Sequence, residues 1–273
     1  MADELITLFG YPFMQRALIV GILVSLCAAL LGTSLVLKRY SMIGDGLSHV
    51  GYGAFAIAAS AGIAPLGFAI PVVIASAFLL LYITRKGKMG GDSAVAILSS
   101  SSLAIGMAVV AMSGVSIDIN SYMFGSILAL KEEDVALSII CSVIVVLVFI
   151  LLYHRIFAVT FDESFSSATG IRTNVYNTFI SVLTAVVIVV GMRLMGALLI
   201  SSLMIFPSLT SMRLCRSFRG VTICSAVISV ACFTAGLTAS YFVNVPTGAG
   251  IVIINLIVFI VFALIGKILK RDS

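Results

Sequence analysis

Charge is scarce in this sequence. Asp, Glu, Lys and Arg make up 10% of its 273 residues, and apolar residues 61%. Soluble domains carry about 25% charged residues, so a soluble globular enzyme or binding module is excluded. Histidine is scarcer still, with only His49 and His154. The start, Met1-Ala2-Asp3-Glu4, lacks the basic region and small-residue cleavage site of a secretory signal. The first apolar run, 17–37, is therefore expected to stay in the membrane. There is no Gly-x-x-x-x-Gly-Lys-Ser/Thr loop, which excludes that mode of nucleotide binding. Gly-x-Ser-x-Gly and His-Glu-x-x-His are also missing, and no His/Asp/Ser constellation suits an intramembrane hydrolase. Cys27, Cys141, Cys215, Cys224 and Cys232 lie in or beside apolar segments without Cys-x-x-Cys spacing, and read as packing residues. The net charge of +5 comes from basic residues scattered at helix ends without interleaved aromatics, so no nucleic-acid partner is expected.

What the sequence has instead is a succession of uncharged apolar runs of about 20 residues, the length that spans a bilayer as helix. It reads as an all-α polytopic membrane protein, one transmembrane domain over 1–273. The expected spans are 17–37, 45–63, 67–84, 93–113, 135–153, 177–194, 196–212, 221–242 and 248–268. Residues 177–212 admit a second reading, one broken helix plus a re-entrant piece. Nine spans put the termini on opposite sides. With the C-terminus inside, the inner side collects Lys38, Arg39, Arg85, Lys86, Lys88, Arg155, Arg172, Arg213, Arg216, Arg219, Lys267, Lys270 and Arg271. The outer side keeps only Arg16, Lys131 and Arg193. Cytoplasmic loops carry the excess of Lys and Arg, so the N-terminus is expected outside. Asp118 and Glu132-Glu133-Asp134 then face out, as ordinary solvated loops or as attractors of cations.

Asp45 and His49 stand out against this background. They are four residues apart in Gly44-Asp45-Gly46-Leu47-Ser48-His49, so on a helix they share a face. Ionisable groups at membrane depth are costly and are functional-site candidates. Carboxylate and imidazole together suit divalent first-row ions. Asp45 alone also fits a helix cap, as does Asp92 in the similar joint Met89-Gly90-Gly91-Asp92. Gly46 and Gly53 lie near the pair and allow a neighbouring helix to approach closely. Two ligands are too few for a tetrahedral site. A two-fold homodimer would supply the pair twice. The depth of the pair depends on 40–44, which reach inward if extended and hold the pair nearer the cytoplasm if they do not.

The longest polar insertion, from His154 to Asn177, is expected on the inner side. Phe161, Phe165 and Ala168 recur there at helical spacing, Asp162 and Glu163 stand near the start, and Gly170 is a stop signal. A short amphipathic surface helix follows. Helices that rest on lipid are rich in Lys and Arg, whereas this one is acidic, which favours a protein partner over lipid.

Ser41-Met42-Ile43-Gly44-Asp45-Gly46-Leu47-Ser48-His49 resembles the signature of the permease subunits of ABC transporters for zinc, manganese and iron, the ABC-3 family. Further blocks follow in the family's order: Gly91-Asp92-Ser93-Ala94, residues 121–129, Phe161-Asp162-Glu163-Ser164-Phe165 through Gly170, residues 195–207, and Val245-Pro246-Thr247-Gly248. The resemblance covers essentially the whole chain. It implies ATP-driven import by a permease homodimer seated on cytoplasmic ATPase subunits in the bacterial cell membrane, fed by an extracytoplasmic metal-binding protein. The permease would not itself be an enzyme and would hold no permanent cofactor. Asp45 and His49 would line the metal pathway. The segment about 160–175, with Asp162, Glu163, Phe165 and Gly170, would couple to the ATPase. The Gly196–Ser202 block looks closer to zinc members, so zinc is the expected cargo, with manganese or iron as alternatives. A metal transporter or channel working without an ATPase is the competing class.

Overall fold

The computed structural model describes residues 10–86, 90–114, 125 and 132–268. Met1-Ala2-Asp3-Glu4, Lys88, Met89, Asp118, Lys131, Lys270, Arg271 and the 121–129 block apart from Gly125 lie outside the described residues. The described regular structure is entirely α-helical: α1 (Pro12–Leu37), α2 (Ile43–Ser60), α3 (Pro65–Lys86), α4 (Gly91–Ser113), α5 (Glu132–Leu151), α6 (Tyr153–Phe161), α7 (Glu163–Ala168), α8 (Thr173–Met195), α9 (Ala197–Leu214), α10 (Phe218–Val243) and α11 (Thr247–Ile268). Among the described residues, 7 helices are long and apolar enough to cross a membrane: α1, α3, α4 and α8 to α11. The pair α5–α6 makes an eighth candidate, bent by 70° at its break.

The helix that fails this test is α2. Gly44, Asp45, Gly46, Ser48, His49, Gly51 and Gly53 dilute its hydropathy. A helix this polar is poorly suited to lipid but tolerable inside protein. The bundle supplies that shelter, because α2 packs against α3, α4, α8 and α9. α1 is the other central element, contacted by α5, α9 and α10 and buried along most of its length.

The most extensive helix pairing is between α2 and α4, and it depends on glycine. A Cβ on Gly46 would stand 2.5 Å from Val95 Cγ1, one on Gly53 2.7 Å from the Ser102 carbonyl oxygen, and one on Gly106 2.9 Å from Gly53 Cα. At the far end the Ser60 and Ser113 hydroxyls hydrogen-bond at 2.9 Å, so the two helices run parallel. At the near end the Tyr40 ring lies against Gly91, where an added Cβ would meet it at 3.0 Å. Hydrocarbon gives helices no hydrophobic drive to associate, so close van der Waals approach between small residues has to supply it.

Gly196 ends α8 and starts α9 without a loop. Its N–H donates to the Met192 carbonyl and its carbonyl accepts from Ile200 N–H. Its φ of 89° and ψ of 157° lie in a region essentially confined to glycine. Residues 177–212 thus form two helices, each of spanning length, rather than one broken helix with a re-entrant piece.

Three local expectations need correction. The segment from His154, expected to open a polar insertion, begins as helix. The chain continues past the bend at Leu152 as α6, which buries Ile156 and Val159. Phe161 therefore ends α6 rather than opening the acidic helix. Asp162 is extended, with φ −145° and ψ 100°, and its carboxylate accepts from Phe165 N–H at 2.8 Å to start α7. Asp92 is not an N-cap. Gly90 holds that position and Asp92 lies in the first turn of α4, where its charge still complements the helix dipole.

Gly53→Val should disrupt the α2–α4 contact, because the obstruction is backbone and cannot rotate away. Overpacking usually costs about 1–3 kcal/mol, so its melting temperature should fall clearly in a detergent thermal-unfolding assay. Gly67→Ala, where nothing lies within 4 Å, should leave it essentially unchanged.

Candidate functional site

The turn between α1 and α2 sets the position of the acidic–imidazole pair. Tyr40 N–H donates to the Leu35 carbonyl at 2.8 Å. Arg39 takes a left-handed conformation with φ 61°, which closes the end of α1. Residues 40–42 therefore turn rather than extend, and α2 begins at Ile43. Met42 is the N-cap of α2 and makes no side-chain cap bond. Asp45 lies in the first turn with its carboxylate uncommitted to capping, and His49 follows one turn later.

The helix brings the two side chains together as the spacing requires. His49 Nε2 and Asp45 Oδ2 are 3.6 Å apart, with the imidazole 24% and the carboxylate 44% exposed. Two donors about 2.1 Å from one tetrahedral ion stand roughly 3.4 Å apart. The observed separation therefore fits a shared divalent ion with little rearrangement. His49 Nδ1 is buried without a hydrogen-bond partner. The Ser48 hydroxyl is fully buried and donates to the Asp45 carbonyl at 2.7 Å. Among the described residues no group of three or more His, Cys, Asp or Glu side chains converges on a metal-sized site. One protomer thus offers two donors. His154 lies elsewhere, on α6 beside the Tyr153 ring.

Gly46 and Gly53 bracket His49 at the two α2–α4 crossing points, so the imidazole projects from the most tightly held stretch of α2. On the other side, Met204 Sδ would lie 3.2 Å from a Cβ at Gly44. This brings α9, from the 195–207 block, next to the start of α2.

The acidic segment is anchored to the same end of the bundle by residues whose partnership the sequence did not reveal. Glu163 Oε2 lies 3.6 Å from Lys38 Nζ, and Glu163 Oε1 accepts from Asn177 Nδ2 at 2.8 Å. Lys38 also donates to Asn177 Oδ1. Lys38 caps the C-terminus of α1, seven residues before Asp45. One cation with its side chain 10% exposed therefore ties α7, the start of α8 and the α1–α2 turn together. The ingredients were visible as polar residues at helix ends, but their meeting depends on tertiary packing across 139 residues. Phe165 is 66% exposed and Phe161 78%, so the two rings project from this end. Gly170, with φ 85°, stops the segment.

The model of one family matches residues 10–266, that of the ABC 3 transport family. The chain belongs to the ABC 3 transport family. A membrane protein of Cyanophora paradoxa, named only as uncharacterized and encoded in the ycf23-apcF intergenic region, is 31% identical over 268 residues, 97% of this chain and 89% of that protein. The manganese import system permease protein ScaB of Streptococcus gordonii is 28% identical over 254 residues, 93% of this chain and 91% of its own. Among solved structures, PsaBC from Streptococcus pneumoniae in complex with Fab contains a chain that superposes with a TM-score of 0.88 at 27% identity, covering 100% of both chains. This ABC 3 family member is accordingly a multi-pass protein of the cell membrane.

Lys38→Met should release α7 from the α1–α2 turn. Hydrogen exchange of the 163–171 amides should accelerate while that of the α2–α4 core stays slow. Asp162→Ala removes the α7 cap, and the local loss should be about 1 kcal/mol, read from the same amides.

Proposed function

We propose that this protein is the membrane permease of an ATP-driven importer of a divalent transition metal. It would work as a homodimer with cytoplasmic ATPase subunits and an extracytoplasmic metal-binding protein. Asp45 and His49 would receive the ion. The observation that carries this reading is the donor pair at 3.6 Å, held on the polar, protein-wrapped helix of a family member whose named relatives import manganese.

Two features favour the homodimer. The pair supplies half of a four-ligand site and is partly open at the protomer surface. The adjoining α4 is mostly exposed in the protomer, and Ser100 and Ser101 lie on its exposed side. Hydroxyls suit an aqueous pathway or a partner helix better than lipid tails. A second copy placed there would complete an N2O2 set on the two-fold axis.

The charge asymmetry supports nine spans, with α2 counted as one although its mean hydropathy is the lowest among them. On this reading the Lys38–Glu163–Asn177 end would face the cytoplasm and the Arg16–Glu132 pair would lie outside. On that reading α7, with exposed Phe161 and Phe165, is the surface offered to the ATPase. The latch to Lys38 links it mechanically to the turn carrying Asp45. The pair would then sit within about 10 Å of that turn along α2, toward the cytoplasmic half.

The cargo divides between zinc and manganese. The Gly196–Ser202 block points toward zinc, whereas the relatives ScaB and MntC are named as manganese systems. An imidazole–carboxylate set accepts both, and zinc binds such sites more tightly.

In proteoliposomes holding the permease with its ATPase, Asp45→Ala and His49→Ala should each reduce ATP-dependent uptake of radioactive zinc or manganese at least about tenfold, the scale expected for losing a metal ligand. Undiminished uptake by an assembled double mutant would remove the metal role. Paired uptake of the two ions, each competed with the other, assigns the cargo. Uptake that needs no ATP would instead make the protein a transporter independent of an ATPase.

A further inference from the structure

A cleft runs down the outside of the bundle over α1. α5 and α10 both pack on α1. One part of the cleft, about 310 Å³, is walled by Leu23 and Leu26 of α1 with Val143, Leu147 and Ile150 of α5. The other, about 590 Å³, has Leu30 on α1, Ile150 on α5 and Ile223 on α10, and is bounded toward the bundle end by Tyr153, His154 and Arg219. Ile150 lines both parts, so they adjoin along α1. From Leu23 to Leu30 the cleft follows α1 for about 10 Å.

The two ends of this cleft differ in chemistry. Along Leu23 and Leu26 the walls are hydrocarbon. At the other end stand an exposed guanidinium and an exposed imidazole. No Asp or Glu lines either part. Among the described residues Arg219 has no ion pair. The polar end lies where α5 bends by 70° into α6. There the Tyr153 ring stands 5.5 Å from His154 and 5.6 Å from Phe218, and Phe157 stands 5.1 Å from Phe218. Tyrosine is typical of the membrane–water boundary.

We propose that this cleft binds an anionic phospholipid, one acyl chain lying over Leu23, Leu26 and Leu30 and the phosphate meeting Arg219 and His154. A free phosphate would make no use of the apolar walls. A zwitterionic lipid would bring its own cation to a cationic end. A helix of another protein would have to place an acidic side chain at Arg219. An anionic lipid satisfies both ends at once, and basic pockets between membrane helices are recognised sites for such headgroups. Seated there, the lipid would brace α5 and α10 against α1 beside the bend that leads to α7.

The test is native mass spectrometry of the full-length chain, purified in detergent, delipidated, and then offered phosphatidylglycerol, phosphatidylcholine with the same acyl chains, or inorganic phosphate. Phosphatidylglycerol should be retained over phosphatidylcholine by about fivefold, the worth of one arginine near an anionic surface. Arg219→Gln should bring that ratio to near one, and Arg219→Lys should keep most of it. Arg216→Gln, outside the cleft lining, should keep it fully. Ile150→Trp, which fills the cleft without touching the charge, should lower retention of both lipids. Equal retention of the two lipids by the unaltered chain would overturn the proposal, and so would an unchanged ratio in Arg219→Gln. Inorganic phosphate held as firmly as phosphatidylglycerol would make it a free-anion site instead. A protein segment cross-linked into the cleft from a cysteine placed at Thr222 would replace the lipid with a partner.

Discussion

The structure depends on the cost of placing a polar helix where there is no water. α2 carries a carboxylate, an imidazole and several glycines, and lipid would leave those groups unsolvated. Protein therefore has to surround it. α4 can come close enough to do so because Gly46, Gly53 and Gly106 remove the Cβ atoms at the crossing points. The side of α2 that bears the donors is only partly covered. The carboxylate and imidazole make the helix costly in lipid, and the glycines beside them let the bundle enclose it.

The same constraint explains how the two ends of the molecule are joined. A largely enclosed amine needs partners, and Lys38 finds them in Glu163 and Asn177. Removing either partner would leave a nearly enclosed charge undercompensated, which is more costly than losing a surface pair. The short helix α7 is too small to be stable alone. It is held by the Asp162 cap and by this charge. A force on α7 therefore reaches the α1–α2 turn through polar contacts of defined geometry rather than through fluid hydrophobic packing.

Much of the fold was legible because bilayer crossing imposes a length and a composition that survive in sequence. α1, α3, α4 and α8 to α11 each announce themselves as apolar runs, whereas the break between α8 and α9 was left open in sequence until the backbone conformation of Gly196 decided it. The bend at Leu152 was not legible, because the His154-Arg155 pair reads as the end of a span, and Ile156 and Val159 are buried only once α8 and α1 lie beneath them. Asp92 and Asp45 were both candidates for caps, since a carboxylate near a helix start looks the same one or two residues either way. Backbone geometry at Gly90 and Met42 decides the matter.

For the site itself, the sequence by itself determined that Asp45 and His49 share a face, because helical periodicity places any i and i+4 pair together. It also determined that they are rare ionisable groups in a chain with little other charge. Only the tertiary structure decided that residues 40–42 turn instead of extending, that α4 crosses on both sides of His49, and that Lys38 meets Glu163 and Asn177. The first rests on local backbone geometry, the Tyr40–Leu35 hydrogen bond and the left-handed Arg39, and the other two on contacts between residues tens to more than a hundred positions apart. Local periodicity carries no information about such contacts, and they are settled only by which helices can approach closely enough to exclude lipid.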